Sequence, residues 1–142
     1  MENQENYLKL SKLVNKLKST KDSQRKYEYI LWLGKKLRDP NSNILVSDNK
    51  VKGCVSEVFV KATISGGELF WEGYSDALIT KGLLAFLING LDGLTPEEVV
   101  KIDKTFIEET GLKASLTPSR SNGFLNILLK MQSQANQFLS NQ

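Results

Sequence analysis

The pattern that most restricts the fold is a strict alternation of side chains near the middle of the chain. Residues 58–64 carry Val, Val, Ala and Ile at every second position, which is the period of a β-strand with one buried face. The glycines at 66 and 67 predict a hairpin turn, and Glu68 to Tyr74 is the predicted return strand. A third strand around Val51 to Val55 would complete a small antiparallel sheet.

Helical patterns precede this hairpin. A first short helix carries Leu10, Leu13, Val14 and Leu17 at spacings of three and four. A second helix is predicted from about Gln24 to Leu37, ended by turn-forming residues.

More helices are predicted after the hairpin. Ser75 can cap a helix that begins at Asp76 and is closed by Asn89-Gly90. Thr95 to Glu98 has an N-cap, a proline at the first helical position and a capping-box glutamate. A polar loop over residues 117–123 is predicted to lead into a last helix that begins near Phe124. The fold class is therefore α+β, a small antiparallel sheet flanked by helices.

Length and charge restrict the class of protein. The chain has 142 residues, the usual size of one domain, and we expect a single domain over 1–142. A net charge of +3 is too small to indicate nucleic-acid binding. The basic N-terminal part is more simply a solvated helix face than a docking surface for an acidic partner. No apolar run is long enough to span a membrane, and the polar, acidic N-terminus resembles no targeting segment, so we expect a cytoplasmic protein.

The chain contains no histidine and one cysteine, Cys54. These counts exclude a Ser-His-Asp triad, a Cys-His pair, a zinc site built on His or several Cys, and an iron–sulfur cluster held by four thiolates of one chain. An intrachain disulfide is impossible, which suits a reducing compartment. We therefore expect no metal and no cofactor of its own.

Cys54 is the strongest candidate nucleophile. A lone cysteine is commonly a small buried hydrophobe, but Gly53 allows a sharp turn beside it, and the position where a loop enters a strand can present a side chain. The pattern alone leaves the structural and the reactive interpretation open.

Two charged residues are weaker candidates. Arg120, in the predicted polar loop, could form a surface ion pair or contact nearby carbonyls. Alternatively, its positive charge could lower the pKa of a neighbouring thiol. Asp76, in a predicted first helical turn, is explained by helix stabilisation alone.

Four segments in order resemble one known family, the SufE family. They are residues 25–37 (RKYEYILWLGKKL), 51–60 (VKGCVSEVFV), 73–83 (GYSDALITKGL) and 116–123 (LTPSRSNG). The resemblance implies the SufE/IscU-like α+β fold. It places Cys54 on the family's sulfur-accepting cysteine, Arg120 on an arginine near that loop, and Asp76 on an acidic position near the partner-facing surface.

The implied function is that of a sulfur acceptor and activator. The partner would be a SufS-type cysteine desulfurase, the sulfur would go on to a downstream scaffold for iron–sulfur cluster assembly, and the chain would not itself be an enzyme. A single thiol suits this role, because a second cysteine would convert the new persulfide into a disulfide. We expect Cys54 to be partly buried under apolar side chains, in a loop that must move.

Two other functions stay open at this point. The chain could bind the desulfurase and regulate it without carrying sulfur, or it could share a cluster between subunits, each giving one thiolate.

Overall fold

Two antiparallel strands pair along their full length in the computed structural model, which describes residues 7–140. β1 (Val58–Ser65) and β2 (Glu68–Ser75) run from the Val58–Ser75 pair to the Ser65–Glu68 pair. Gly66 and Gly67 both have positive φ, at 60° and 80°, as a tight two-residue hairpin turn requires. The predicted hairpin is confirmed, with β2 one residue longer than expected.

Helices supply the rest of the regular structure in the described residues. They are α1 (Leu8–Ser19), α2 (Ser23–Lys35), α3 (Leu78–Leu91), α4 (Pro96–Val100), α5 (Phe106–Glu109) and α6 (Pro118–Ser140). Three short 3-10 turns lie at Ser42–Ile44, Ser47–Asn49 and Leu112–Ala114. Together with the sheet these helices confirm the α+β class.

The third strand predicted around Val51 to Val55 is wrong. Contact with β1 is limited to a bridge between Lys50 and Phe59 and one hydrogen bond from the Val51 N–H to the Val58 carbonyl at 2.8 Å. Further along this edge, a side chain takes the place of a strand. Gln134 of α6 donates to the Val60 carbonyl at 2.6 Å and accepts from the Ala62 N–H at 2.9 Å.

α3 is the centre of the core and is buried on nearly every side. It packs closely on α2 because two glycines face each other. A Cβ on Gly34 would lie 2.9 Å from the Gly82 nitrogen, and a Cβ on Gly82 would collide with the Ile30 carbonyl oxygen. The absence of both side chains brings the two helix backbones into contact.

The predicted limits of α3 are wrong at both ends. It begins at Leu78, with Ala77 in extended backbone before it, because the Ser75 hydroxyl accepts from the Ala77 N–H at 3.2 Å. Asp76 therefore lies outside the helix. At the other end the helix continues past Gly90 to Leu91; a Cβ on Gly90 would lie 2.9 Å from Leu10 Cδ1, so this glycine makes room for α1.

The polar loop predicted over residues 117–123 is also wrong, because α6 begins at Pro118. The Thr117 carbonyl accepts from the Ser121 N–H at 3.0 Å, and its hydroxyl lies 3.4 Å from the Arg120 N–H. Thr117-Pro118 thus starts a helix as Thr95-Pro96 does. The capping box predicted at Thr95 is confirmed, with hydrogen bonds of 3.2 and 2.9 Å between Thr95 and Glu98.

Among residues 7–140, no helix combines the length and the apolar character that a membrane span requires.

Replacing Gln134 by Ala should destabilise the protein by about 2 kcal/mol or more, because two buried backbone groups of β1 lose their partner. Gln137→Ala is the matched control: Gln137 is an exposed glutamine of the same helix. Urea unfolding of both variants measures the free energies. Equal stability of the two variants would show that the Gln134 amide does not hold the sheet edge.

Candidate functional site

Cys54 lies in a short loop between the Lys50 bridge and the start of β1. Gly53 has φ of +82°, a backbone conformation that other residues rarely adopt, and it turns the chain toward α6. The Cys54 side chain is half-buried. Its Sγ lies 3.9 Å from the Gly123 carbonyl oxygen, near enough for the thiol to donate a weak hydrogen bond.

A cavity of about 360 Å³ opens beside the thiol. It brings together residues that are far apart in sequence, since Arg120, in the first turn of α6, lines it with Cys54. The partial burial expected for Cys54 is present, and the cavity wall combines polar side chains with apolar surface that includes Val55. The other lining residues are Val55, Ser56, Thr80, Thr117, Ser119 and Gly123.

Burial raises the pKa of the Cys54 thiol above its ordinary value, because a half-buried thiolate loses hydration. The Gly123 carbonyl acts in the same direction, since it can accept a hydrogen bond from the thiol and would face a thiolate unfavourably. In this position of the loop both effects favour the protonated thiol over the thiolate.

Asp76 holds the end of the Cys54 loop. Its carboxylate accepts from the Glu57 N–H at 3.0 Å, and its own N–H donates to the Glu57 carbonyl at 3.3 Å. It is not among the residues that line the cavity. The structure thus places Arg120 in the lining of the same cavity as the thiol. It places Asp76 against Glu57, which lies three residues after Cys54.

Sequence reasoning missed the contacts that attach the loop to α6. Asn126 donates to the Gly53 carbonyl at 3.2 Å, and Lys130 donates to the Asp48 carbonyl at 2.7 Å. With Gln134, these side chains recur every four residues and form one stripe of α6, which we call the carbonyl-binding stripe (Asn126, Lys130 and Gln134). The four-residue spacing is visible in the sequence, but a polar stripe on a helix ordinarily indicates a solvated face.

Val55 of the cavity lining and Leu78 of α3 are strongly exposed apolar side chains. Val55, next to Cys54, is 87% exposed, and Leu78, at the start of α3, is 72% exposed. Their exposure is far above that of the core residues, and Val55 leaves apolar surface beside the Cys54 thiol.

Comparison with known proteins identifies the family of this chain. The family model for SufE, described as an Fe-S metabolism associated domain, matches residues 11–135. The chain belongs to the SufE family. Membership places it among proteins associated with iron–sulfur metabolism.

Similar proteins occur in distant organisms. An uncharacterized SufE-like protein of Synechocystis is 48% identical over 126 residues, covering 89% of this chain and 79% of that protein. SufE-like protein 1 of Arabidopsis thaliana, chloroplastic/mitochondrial, is 40% identical over 89% of this chain, which spans 34% of its length. The cysteine desulfuration protein SufE of Plasmodium falciparum is 34% identical over 94% of this chain, which spans 56% of its length.

The solution structure of a hypothetical protein from Thermus thermophilus has a similar fold. It superposes with a TM-score of 0.80 at 28% identity and covers 93% of this chain and 96% of its own. The SufE-like fold expected from the sequence is confirmed. A cytoplasmic location stays a prediction, since the Arabidopsis relative is named for organelles.

Replacing Asp76 by Arg should raise the rate at which iodoacetamide alkylates Cys54, by a few-fold up to about tenfold, because the loop loses its charged hydrogen-bond acceptor. Asp39→Arg, at an exposed acid outside the loop, gives the matched control. An alkylation rate equal to that of the control would mean that Asp76 does not restrain Cys54.

Proposed function

We propose that this chain is an accessory sulfur-transfer protein. It accepts a persulfide sulfur on Cys54 from a SufS-type, pyridoxal-phosphate-dependent cysteine desulfurase and stimulates that enzyme. The sulfur then passes to a downstream scaffold of iron–sulfur cluster assembly. Family membership and the Plasmodium relatives named as cysteine desulfuration proteins support this role. The observation that carries the proposal is a single thiol, half-buried in a loop and facing a cavity that Arg120 also lines.

The transfer step needs one nucleophile and no net redox change. The Cys54 thiolate attacks the outer sulfur of the desulfurase persulfide, a new S–S bond forms, and the old S–S bond breaks. The desulfurase cysteine leaves as a thiolate, and the proton of the Cys54 thiol passes to solvent. Because the chain has no other cysteine, the new persulfide has no internal thiol that could convert it into a disulfide.

The cavity suits the product as well as the thiol. A persulfide is longer than a thiol by one sulfur atom, and the cavity beside Sγ offers room for it. A persulfide anion placed there would lie in the same cavity as the Arg120 guanidinium, which stays charged at any working pH. Arg120 is thus proposed to stabilise the charged form of the sulfur, against the effect of burial.

Replacing Cys54 by Ser should abolish stimulation of a SufS-type desulfurase, measured as alanine formed from cysteine, while folding and binding to the desulfurase persist. Serine keeps the size of the side chain and removes the nucleophile. Retained stimulation would falsify sulfur acceptance and favour a regulator that carries no sulfur. Visible absorbance of the wild-type chain after addition of iron and sulfide would instead favour a shared cluster.

Replacing Arg120 by Ala should slow sulfur transfer more at neutral pH than at high pH, where the thiolate forms unaided. Each unit of pKa corresponds to about 1.4 kcal/mol of preference for the charged form. Arg120→Lys should restore part of the rate, and Arg25→Ala, at an exposed arginine of α2, should change nothing. A loss that is equal at all pH values would leave Arg120 with a structural role only.

A further inference from the structure

The Cys54 loop is anchored at both ends by backbone hydrogen bonds. At its start the Val51 N–H donates to the Val58 carbonyl. At its end Glu57 pairs in both directions with Asp76. Between these anchors Lys52 and Gly53 form a turn, and no backbone–backbone hydrogen bond joins residues 52–56 to another element of the described part of the chain. Side-chain contacts therefore attach this part of the loop to α6.

Two contacts to α6 hold the middle of this loop. The Asn126 amide donates to the Gly53 carbonyl at 3.2 Å. One helical turn before Asn126, the Gly123 carbonyl oxygen lies 3.9 Å from Cys54 Sγ. A Cβ on Gly53 would lie 2.6 Å from Asn126 Nδ2. The amide can reach the Gly53 carbonyl because residue 53 has no side chain.

We infer that Asn126 is a positioning residue for sulfur transfer: its amide holds the Gly53 carbonyl so that Cys54 lies against α6, and breaking this hydrogen bond frees the sulfur to reach a partner. The inference rests on the proposed function. It goes beyond it by assigning control of the loop to one side chain that makes no contact with the reacting sulfur.

The hydrogen bond of Asn126 can break at small cost, whereas the hydrogen bonds of Gln134 in the same stripe cannot. Gln134 is buried and its two hydrogen bonds to β1 are buried with it, so losing them leaves unsatisfied groups. The Asn126 bond is exposed, and water replaces an exposed hydrogen bond at small cost. In the carbonyl-binding stripe, the Gln134 hydrogen bonds to β1 are therefore costly to break, and the Asn126 hydrogen bond beside Cys54 is not.

Release of the loop has a measurable effect on thiol chemistry. If the thiolate forms only after the loop opens, the alkylation rate below the midpoint of its pH curve is proportional to the open fraction. The pH at the midpoint then falls by the base-10 logarithm of the factor by which the open fraction increases. The alkylation rate at the high-pH plateau does not change. Among the described residues that line the cavity, the charged one is Arg120 of α6; α3 contributes Thr80 and the loop contributes Ser56.

The experiment measures iodoacetamide alkylation of the full chain from pH 6 to pH 10. Because Cys54 is the one cysteine, a single rate is observed. Asn126→Ala should raise the rate at pH 7 roughly three- to tenfold and lower the midpoint by roughly 0.5 to 1 unit, the logarithm of the same factor. Asn136→Ala, at an exposed asparagine of the same helix, should leave both quantities unchanged.

Asn126→Asp tests whether the N–H donor matters. It keeps the size of the side chain but turns a carboxylate toward the Gly53 carbonyl, so it should accelerate alkylation at pH 7 at least as much as Asn126→Ala. Wild-type rates in either variant would overturn the inference. So would a rise that is matched by an equal increase in the equilibrium constant for global unfolding, measured in urea, since this would show a general structural role.

The alkylation assay contains no desulfurase, so its outcome is separate from the proposed function. If Cys54→Ser still stimulated the enzyme, sulfur acceptance would fail while the alkylation rates could still show control of the loop by Asn126. If sulfur acceptance and control of the loop by Asn126 both hold, Asn126→Ala should also change the acceptor concentration that gives half-maximal stimulation of the desulfurase. Asn136→Ala should not change it.

Discussion

Gln134 joins the last helix to the sheet through two buried hydrogen bonds with the backbone of β1. This amide occupies the sheet edge where a third strand would otherwise continue. In the antiparallel register of the Lys50–Phe59 bridge, Gln134 occupies the edge that residues before Lys50 would otherwise pair with. On the other side of the bridge the chain leaves the sheet after Val51 and approaches α6. The same face of α6 then provides Asn126 and Lys130, which bind carbonyls of the segment that carries Cys54. The geometry of the thiol site follows from how α6 is fixed to β1.

This arrangement favours the protonated form of the Cys54 thiol. Burial raises the pKa of Cys54, and the Gly123 carbonyl can accept its proton in a hydrogen bond, so the thiol is the favoured form while the loop lies on α6. A cation, Arg120, lines the same cavity, and under the proposed function it would favour negative charge on sulfur. The balance between these effects changes when the loop moves, because burial and the carbonyl contact are lost on leaving α6.

The sequence predicted the parts of the fold that depend on local patterns. The two-residue period of β1 and the Gly66-Gly67 turn specified the hairpin, and Thr95 with Pro96 specified the start of α4. The same signal at Thr117-Pro118 was missed, because the polar composition of residues 119–123 resembles a loop although Thr117 caps a helix.

The remaining errors come from tertiary contacts. The edge of β1 is satisfied by Gln134 from 72 and 74 residues away in sequence, and no local pattern indicates such a partner. Asp76 was interpreted as a helix-stabilising residue. Its hydrogen bond with Glu57 cannot be predicted without knowing where the Cys54 loop lies. For the same reason Asn126 could not be distinguished from a solvated asparagine, whereas Cys54 and Arg120 stood out through composition and family resemblance.

The most direct test of the account is the mass of the chain after incubation with a SufS-type desulfurase and cysteine, followed by removal of the enzyme. The account predicts an increase of one sulfur atom, located on the peptide that contains Cys54 and removed by a thiol reductant. A chain whose mass is unchanged under conditions in which it still stimulates the desulfurase would contradict it.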